Sequence, residues 1–369
     1  MRRSSLALVA AALVAAVLPP VVRAAMPQRP NAVVDAAYRG RDGAVVDGSY
    51  RYRTVAAALA AAPSASARPH VILLRPGRYR EKLSVDKPNI TLLGEDRDRT
   101  VITFDAASDT PAPGGGTYGT RGSFTLRVTA PGFRAERLTV ENAYDYPANY
   151  AKANDDPTKF RNPQGVALML DGASDRAVFE NCRITGHQDT LFANAGRAWF
   201  HRCIITGHVD FIFGAGRAVF DDCDIVSRDR GSRTRNGYVA APSTPLSQPH
   251  GFLVVNSRLK KETPALAPRT VALGRPWHPA ADPLAVGSVV YLDCWMDDHV
   301  GAVAWDSMAA TDSASGRRHW YRPQNSRFFE HGTTGPGAVS SPNRRVLSDG
   351  EVLAYTVARV LDGWDPAGR

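Results

Sequence analysis

The sequence predicts an all-β fold, a right-handed parallel β-helix with short capping helices and long loops. Three observations lead to this prediction. Similar segments return every 20 or 21 residues, each segment alternates apolar and polar positions, and the segments end in Gly, Asn or Asp. A fixed period of this size indicates a repeat architecture, and alternation bounded by such residues is typical of short strands. The 369 residues are 44% hydrophobic, which is enough for a sizeable core.

The repeat is clearest in three segments that align without gaps, Ala177–Ile184, Ala198–Ile205 and Ala218–Ile225. In each of them a Phe is followed three residues later by a Cys, and Gly132–Asn142 and Gly251–Leu259 are looser copies. A leucine-rich repeat would need a Leu-x-x-Leu-x-Leu ladder, and a β-propeller would need a longer period. Stacked coils about 4.8 Å apart would instead bring like residues into inward-facing columns.

Two helical segments are expected to cap the solenoid, because open strand edges would otherwise face water. Thr54–Ala62 is an alanine-rich helix that the following proline ends. Near the other end, Ser348–Glu351 matches a capping box and opens an amphipathic run that stops at Gly363. Residues 105–125 and 306–345 show no clear periodicity, so they are interpreted as long loops that leave the solenoid, where binding often occurs.

Residues 1–25 have the features of a secretory signal peptide. Two arginines precede the unbroken apolar run Leu6–Leu18, and small residues lie near the expected cleavage after Ala25. The apolar run is shorter than the roughly 20 residues that span a bilayer. We therefore expect residues 26–369 to form a single secreted domain, in the periplasm or outside the cell.

The composition also limits the class of partner. The formal net charge is +9, and loss of Arg2, Arg3 and Arg23 with the leader would lower it to +6. A basic protein attracts polyanions over long distances. Because the chain is expected to be exported, an acidic polysaccharide is a better candidate than nucleic acid. Neither a nucleic acid nor a membrane partner is expected, and the domain is expected to be a monomer.

Several common catalytic signatures are missing from the sequence. No Gly-x-Ser-x-Gly elbow of a serine hydrolase occurs, and Gly114–Gly116 and Gly214–Gly216 do not lead into a phosphate-binding helix. The histidines follow no zinc-site spacing, so His187, His201 and His208 are interpreted as structural groups. No metal and no cofactor are expected.

Two aspartates stand in otherwise apolar strand segments, Asp189 in Gln-Asp-Thr-Leu and Asp210 in Val-Asp-Phe-Ile-Phe. They are 21 residues apart, which is one coil of the predicted solenoid, so their carboxylates would lie close together. A close pair of carboxylates divides into one ionised member and one that keeps its proton. This division supplies a nucleophile and a general acid, although two structural aspartates that cap turns would leave the same pattern.

Five short motifs occur in order along the chain, and the last three together are highly specific: Gly77–Glu81, Gln164–Leu168, Gln188–Leu191, Asp210–Gly214 and Leu273–Trp277. From about residue 45 to the end, the chain resembles the pectin methylesterase family, and Ser326–Glu330 looks like its bacterial branch. The resemblance implies a β-helix enzyme that removes methyl groups from the methyl-esterified galacturonate of pectin and releases methanol.

The resemblance also implies a role for each motif residue. Asp210 would attack the ester carbonyl, and Arg275 would keep that carboxylate ionised and aimed. Asp189 would protonate the departing methanol and then deprotonate the water that hydrolyses the acyl-enzyme. Gln188 and Gln164 would donate hydrogen bonds to the oxyanion.

Further residues are expected to contact the substrate. Trp277 would offer a sugar ring a flat apolar face. The remaining expected contacts are Val209, Phe213, Met296, Thr120, Arg230 and Asn236. His208 departs from the Thr that many relatives carry before Val-Asp, and no loss of activity is expected from this change.

Four cysteines follow the leader, and an oxidising compartment permits disulfides. Stacked coils would allow Cys182 to pair with Cys203, or Cys203 with Cys223, because both separations suit a disulfide. The resemblance favours the pair Cys203 and Cys223, with Cys182 and Cys294 reduced.

Three other functions are compatible with parts of the sequence. A pectate lyase is also a β-helix that acts on pectin, and Asp155–Asp156 and Asp221–Asp222 are candidate acids for the calcium cluster that it would need. A non-catalytic carbohydrate-binding solenoid would explain the fold and the charge, but not both aspartates, the arginine and both glutamines together. A divergent esterase that acts on another ester would keep the same motifs.

Overall fold

The computed structural model describes residues 29–367, which fold into a parallel β-helix of three long sheets. Successive coils add one strand to each sheet in turn, so the neighbours within a sheet come from consecutive coils. The predicted fold class is therefore confirmed. The predicted leader, residues 1–25, lies outside the described residues. None of the helices in residues 29–367 is long and apolar enough to cross a membrane.

The strands of the three sheets are almost all parallel. In spatial order, the first sheet comprises Ala44–Val46, Ser49–Tyr52, Ala32–Val34, His70–Leu74, Ile90–Gly94, Arg134–Glu136, Ala177–Glu180, Arg197–His201, Arg217–Asp221, Phe252–Val255, Ser288–Leu292 and Arg327–His331. The second comprises Gly77–Arg80, Thr100–Phe104, Thr139–Asn142, Arg183–Thr185, Ile204–Gly207, Asp224–Ser227, Arg258–Lys261 and Trp295–Met296. The third comprises Leu83–Val85, Leu126–Val128, Leu168–Leu170, Leu191–Ala193, Val209–Gly214, Gly237–Pro242 and Val271–Gly274.

The remaining elements lie outside the three sheets. Met308–Thr311 and Arg318–Tyr321 form an antiparallel hairpin. The α-helices are Val55–Ala61, Gly119–Gly122, Tyr146–Ala151 and Val357–Val360, and the 3₁₀ helices are Pro279–Ala281, Pro323–Asn325 and Glu351–Tyr355.

The predicted repeat sets the register of the coils. Phe179 is paired with Phe200, and Phe200 with Phe220, so equivalent residues of the repeat stack directly above one another. The phenyl rings of this column are buried and stacked, with centroids 4.6 Å and 4.9 Å apart. Like side chains in a column bury apolar surface in every coil, and this burial stabilises the stack.

A tight turn joins each strand of the first sheet to the second in the repeat region. One residue of each turn has a positive φ, and most of these residues are Asn or Asp, for example Asn181, Asp222 and Asn256 with φ near 50°. Asn and Asp adopt this left-handed conformation more readily than other non-glycine residues. The Asn or Asp within most of the repeats, at the turn between the two strands, therefore has a structural reason.

The disulfide expected between Cys203 and Cys223 is not formed, and this prediction is corrected. Both are free, buried thiols, as are Cys182 and Cys294. Each thiol of the pair contacts a backbone carbonyl of the preceding coil, Phe179 for Cys203 and Phe200 for Cys223, at 3.3 Å.

The predicted N-terminal cap is confirmed as helix Val55–Ala61. The side chain of Thr54 accepts a hydrogen bond from the Ala57 amide at 3.2 Å. The carboxylate of Glu81 accepts two more, from the amides of Val55 and Ala56 at 2.9 and 2.8 Å. An anionic acceptor at a helix N terminus satisfies free amides and the helix dipole. The first sequence motif, which ends at Glu81, thus holds the cap in place.

The C-terminal cap differs from the prediction. Ser348 and Glu351 form the expected capping box, with the Ser348 amide donating to the carboxylate at 2.8 Å. Only a 3₁₀ turn follows, because Thr356 is extended and its side chain accepts from the Arg359 amide, which starts a second short helix. The extended backbone that Thr356 needs as the cap of the second helix prevents the preceding helical turn from continuing through it.

The prediction that residues 306–345 form a loop outside the solenoid is only partly right. Arg327–His331 is the last strand of the first sheet and pairs with Ser288–Leu292. Its inward side carries Phe328 and Glu330, and the buried Glu330 forms an ion pair with Arg344. A charged residue at an inward position hides the apolar alternation by which strands are recognised.

A short helix outside the solenoid, Tyr146–Ala151, packs on the half-buried His187 and the buried His208. The ring of Tyr146 lies 5.3 Å from that of His187 and 4.3 Å from that of His208. Burial lowers the pKa of His187 to about 3, and burial followed by the neighbouring His187 lowers the pKa of His208 well below its usual range. Both imidazoles are thus neutral in the folded protein and have a structural place, as predicted.

We expect these histidines to make the fold sensitive to acid. The imidazole of an unfolded chain has a pKa of about 6.5. Below that pH these histidines bind protons in the unfolded chain but not in the folded chain. The free energy of unfolding therefore decreases as the pH falls from about 6.5 towards the pKa of the folded state. His208→Phe keeps a ring against Tyr146 and removes one titrating group. Urea unfolding between about pH 7 and pH 5 should show a smaller loss of stability in this variant than in the wild type. An equal loss in both proteins would contradict the prediction.

Candidate active site

The predicted catalytic residues lie on neighbouring coils beside the third sheet. The Gly165 amide donates to the Gln188 carbonyl, and the Asp189 amide to the Val209 carbonyl, both at 3.0 Å. Two coils further on, the Arg275 amide donates to the Ala240 carbonyl at 3.0 Å. Backbone hydrogen bonds between coils thus bring together motifs that lie far apart in the sequence.

Asp210 and Arg275 form a bidentate ion pair. Arg275 donates from Nε to Oδ1 of Asp210 at 2.8 Å and from Nη2 to Oδ2 at 2.6 Å. The guanidinium also lies over the Tyr238 ring, with Cζ 4.0 Å from the ring centroid. Two parallel charge-assisted hydrogen bonds fix the carboxylate and stabilise its ionised form. Asp210 is therefore held as an anion in one orientation.

The surroundings of Asp189, unlike those of Asp210, disfavour a charged carboxylate. Burial in the cleft raises its pKa well above the usual range, the charge of Asp210 raises it further, and Arg275 opposes the shift. Desolvation and a like charge both disfavour the ionised carboxylate. Burial and the neighbouring charge thus favour the protonated carboxyl at Asp189, whereas the bidentate ion pair with Arg275 favours the carboxylate at Asp210.

The backbone at both aspartates is unusual. Asp189 has a φ of 61° and Asp210 a φ of 50°, in the left-handed region. At Asp210 the strand pairing shifts between Val209 and Ile212, so two residues lie opposite one residue of the next strand. Such a bulge redirects a side chain out of the regular alternation, and strained backbone is concentrated at functional sites. The bulge explains how an aspartate inside a buried strand reaches the cleft.

The two glutamines lie on adjacent coils at the edge of the same cleft. Within residues 29–367 the buried Oε1 atom of Gln164 has no hydrogen-bond partner, and Gln188 hydrogen-bonds the carboxyl of Asp189. The Gln164 backbone carbonyl accepts from the Ser108 amide at 2.7 Å. Both glutamine side chains therefore line the cavity beside the aspartates, and Gln164 has an unpaired acceptor atom there.

The aspartates open into a cavity of about 360 Å³. One wall is aromatic: Phe192 stacks on Phe213 with centroids 4.2 Å apart, and Trp277 meets both rings edge to face at 6.0 and 5.6 Å. The full lining is Thr120, Arg121, Gln164, Gln188, Asp189, Phe192, Asp210, Phe213, Ala241, Arg275, Trp277 and Met308.

Thr120 reaches the cavity because loop 105–125 is anchored on the solenoid. The ammonium of Lys82 donates to the carbonyls of Gly122 and Phe124 at 2.6 and 2.9 Å and lies over the Phe124 ring. Burial lowers the pKa of Lys82 to about 7. This lysine follows the first sequence motif directly, so that segment holds both the cap helix and the loop.

The cavity brings together all five predicted catalytic residues, together with Trp277, Phe213 and Thr120. The other four expected substrate contacts do not line it. The contact predicted for Met296 is corrected, because its side chain is fully buried, and the other three stay predictions. Val209 is only 6% exposed and pairs with Tyr238 in the sheet. Met296 is fully buried in the core, because strand Trp295–Met296 turns the indole outward and the thioether inward.

Arg230 and Asn236 close a loop and do not line the cavity. The fully buried Asn236 accepts from the Arg230 amide at 2.9 Å and donates to the Arg228 carbonyl at 2.7 Å. A side-chain amide used in this way satisfies buried backbone groups and has little capacity left for a substrate.

Four cavity residues were not predicted from the sequence. Phe192 alternates outward in the strand that follows Asp189, so strand periodicity alone could have identified it. Arg121 is next to the predicted Thr120. No sequence motif around Ala241 indicates that it would line the cavity. Met308 lies in the segment that was interpreted as an irregular loop, and nothing in its neighbourhood indicated a place in the cleft.

The acids considered for a calcium cluster lie in other settings. Asp156 accepts hydrogen bonds from the amide and hydroxyl of Thr158, both at 2.7 Å. Asp222 pairs with Arg258 at 2.9 Å. Within residues 29–367 no group of three or more His, Cys, Asp or Glu side chains is arranged to hold a metal ion.

Comparison with known proteins agrees with this geometry. The family model for pectinesterase matches residues 44–363. Pectinesterase A of Dickeya chrysanthemi is 42% identical over 326 residues, which cover 85% of this chain and 88% of that protein. The solved pectin methylesterase PemA of Erwinia chrysanthemi superposes with a TM-score of 0.85 at 40% identity, covering 92% of this chain and 99% of PemA. The pectin methylesterase of Yersinia enterocolitica superposes with a TM-score of 0.81 at 44% identity, covering 85% and 99%. The chain belongs to the pectinesterase family.

Proposed function

We propose that the protein is a pectin methylesterase, a carboxylic ester hydrolase that removes methyl groups from methyl-esterified galacturonate in pectin and releases methanol. The observation that carries the proposal is the division of charge between two adjacent carboxylates, an ionised Asp210 held by Arg275 and a protonated Asp189. A pectin methylesterase in complex with a hexasaccharide has the same fold, with a TM-score of 0.86 at 39% identity over 93% of this chain and 100% of that protein.

In the first step, a carboxylate oxygen of Asp210 attacks the C6 carbonyl carbon of the methyl ester. The carbonyl π electrons move to oxygen and form a tetrahedral oxyanion. Arg275 fixes the attacking carboxylate by its two hydrogen bonds, so little reorganisation precedes the attack. The amides of Gln188 and Gln164 donate hydrogen bonds to the oxyanion as its charge develops.

In the second step, the oxyanion collapses and the bond to the methoxy oxygen breaks. Asp189 gives its proton to that oxygen, so methanol leaves as a neutral molecule. The products are an acyl-enzyme anhydride at Asp210 and an ionised Asp189. The raised pKa of Asp189 keeps the proton available at neutral pH, as this step requires.

In the last step, ionised Asp189 takes a proton from water while the water oxygen attacks the acyl carbon of the anhydride. The bond to Asp210 breaks and its electron pair returns to the carboxylate. The sugar leaves as a carboxylic acid, which loses its proton to solvent, and both aspartates regain their starting states. The acid of one half-reaction thus acts as the base of the other.

The aromatic wall supplies a binding surface for the polysaccharide. Trp277, Phe213 and Phe192 present apolar ring faces and edges beside the carboxylates. A sugar ring can lay its apolar face on such a surface. The basic charge of the chain would attract the partly anionic polymer over longer distances.

We further propose that the protein is exported by cleavage after Ala25, acts as a monomer, and requires neither a metal nor a cofactor. A carboxylate nucleophile is already ionised near neutral pH, so the mechanism needs no ion to activate it. N-terminal sequencing of the secreted protein and its mass in solution test the first two statements.

The function is tested by methanol release from highly methylated pectin, with and without a chelator. We expect release in both conditions, at equal rates. Loss of activity in chelator that calcium restores would favour the pectate lyase alternative. Absence of methanol release from pectin, with release from another methyl ester, would indicate a divergent esterase.

Replacing either aspartate should abolish turnover. Asp210→Ala and Asp189→Ala, together with the closer replacements Asp210→Asn and Asp189→Asn, should each lower kcat by more than about 10³-fold, since members of one catalytic unit fail together. Asp222→Asn is a matched control, because Asp222 also has a positive φ and an ion-pair partner but lies outside the cleft. Methanol release near the wild-type rate from any of the four variants would contradict the assigned roles.

Removing one glutamine should slow the chemical step. Gln188→Ala or Gln164→Ala should lower kcat by about 10²–10³-fold, the usual effect of losing one oxyanion donor. Gln324→Ala, at an exposed position outside the reaction cavity, should behave as wild type. A change confined to KM would instead make these residues ground-state substrate contacts.

A further inference from the structure

Gln164 lies where the chain returns to the solenoid, in an irregular segment between strands. Residues 143–163 leave the solenoid after strand Thr139–Asn142, and the next strand of the third sheet begins only at Leu168. The register of the coils brings Gln164 to the reaction cavity. Because the backbone around it is neither strand nor helix, hydrogen bonds outside the sheets decide how its side-chain amide is aimed.

The backbone at Gln164 is tied to two different parts of the fold. Its carbonyl accepts a hydrogen bond from the Ser108 amide at 2.7 Å, which ties it to loop 105–125. The next amide, that of Gly165, donates to the Gln188 carbonyl at 3.0 Å, which ties it to the coil of the second glutamine. These two bonds fix Gln164 and the residue that follows it, and a third group restrains the residues that precede it.

That third group is the carboxylate of Asp109. Its Oδ2 accepts from the amides of Arg161 and Asn162 at 2.8 and 2.7 Å, and its Oδ1 accepts from Nδ2 of Asn162 at 2.9 Å. Hydrogen bonds to an ionised acceptor are stronger than those between neutral groups. Burial alone would raise the pKa of Asp109, but the hydrogen bonds from Asn162 and Arg161 outweigh it and lower the pKa below its usual value. The carboxylate therefore holds this backbone as an anion.

A proline passes this restraint on to Gln164. Pro163 is the one residue between Asn162 and Gln164. The proline ring fixes its own φ and confines the preceding residue to extended backbone. The two residues between the carboxylate and the glutamine thus have little rotational freedom, so the position of Asn162 determines that of Gln164.

Asp109 itself stands on a supported loop. The buried side-chain amide of Asn142 donates from Nδ2 to the carbonyls of Ala106, Ser123 and Val166 at 2.9, 3.2 and 3.1 Å. The hydroxyl oxygen of Ser123 accepts from the Val166 amide at 3.1 Å. Both ends of loop 105–125 and the segment after Gln164 therefore share one buried support, to which Asp109 adds the segment before Gln164.

We propose that Asp109 is a positioning residue for the reaction, and that its carboxylate holds the backbone before Gln164 so that the Gln164 amide is aimed at the oxyanion. This inference rests on the proposed function. The described lining of the reaction cavity includes Gln164 but not Asp109, so Asp109 acts through the glutamine. An oxyanion donor is effective only when it is held in place before the charge develops, and a small misplacement lowers the rate.

The first test is methanol release by variants of Asp109. Asp109→Ala should lower kcat about tenfold to a hundredfold, the scale of a displaced catalytic group, and change KM less than about twofold, because the oxyanion contact forms in the transition state. Asp109→Asn keeps one oxygen for the two backbone amides and should recover most of the lost rate.

Asp156→Ala is the matched control. Asp156 also accepts a backbone amide within residues 143–163, that of Thr158 at 2.7 Å, but it restrains a turn far along the chain from Gln164. This variant should keep the wild-type kcat. A wild-type kcat in Asp109→Ala, or the same loss in Asp156→Ala, would overturn the proposal.

A double-mutant cycle distinguishes positioning from a general effect on the fold. In a Gln164→Ala background, Asp109→Ala should change kcat less than about twofold, because the side chain that it aims is already gone, and such coupling is expected of residues in one network. Two losses that multiply as independent effects would show that Asp109 acts by another route and would overturn the proposal.

Hydrogen exchange of the unliganded protein separates this inference from the proposed function. In Asp109→Ala the amides of Gly165 and Val166, which bond to groups other than Asp109, should exchange at least about tenfold faster, because local opening becomes easier. Unchanged exchange at both amides would overturn the proposal even if methanol release is normal. If the wild type releases no methanol from pectin but the variant exchanges faster, the proposed esterase activity fails and the restraint of Gln164 by Asp109 stands.

Discussion

The register of the parallel coils is the constraint on which the rest of the structure depends. Each coil is fixed to the next by backbone hydrogen bonds, so residues one coil apart in the sequence become neighbours in space. The buried phenylalanine column that includes Phe179 and Phe200 holds this register, because a shift by one residue would move every inward side chain to the outside. Gln164, Asp189 and Asp210 reach one cleft only because the register is kept.

Within that frame, the proposed catalytic chemistry depends on a contrast between two identical side chains. Asp210 is fixed by two hydrogen bonds from Arg275, whereas Asp189 is buried beside that negative charge. The same low-polarity surroundings favour the ion where a guanidinium pairs with it and the acid where none does. A bulge in the strand and left-handed backbone at both residues present the two carboxyl groups to the cavity. Local strain is thus part of the arrangement of the site.

The solenoid supplies the carboxylates, and the segments outside it shape the cleft around them. Loop 105–125, anchored by Lys82, brings Thr120 to one side, and the hairpin brings Met308, Arg318 and Trp320 to the other. The coils repeat the same geometry, so differences between the two sides of the cleft must arise in these insertions. The shape of the cleft is therefore set by these segments, and the position of the two carboxylates by the solenoid.

The sequence alone determined the period of the coils, the N-terminal cap and the five catalytic candidates, because repeats, a Thr before an alanine run and motifs around Asp189 and Asp210 are local patterns. Only the tertiary structure decided which other residues line the cavity. The side chain of Met296 points into the core and that of Met308 lines the cavity, because successive side chains of a strand point to opposite faces. A segment without periodicity gives no indication of which face a given residue occupies. A buried Glu330 likewise concealed the final strand. Long-range packing fixed these features, and no local pattern encodes the partner that a side chain meets across the fold.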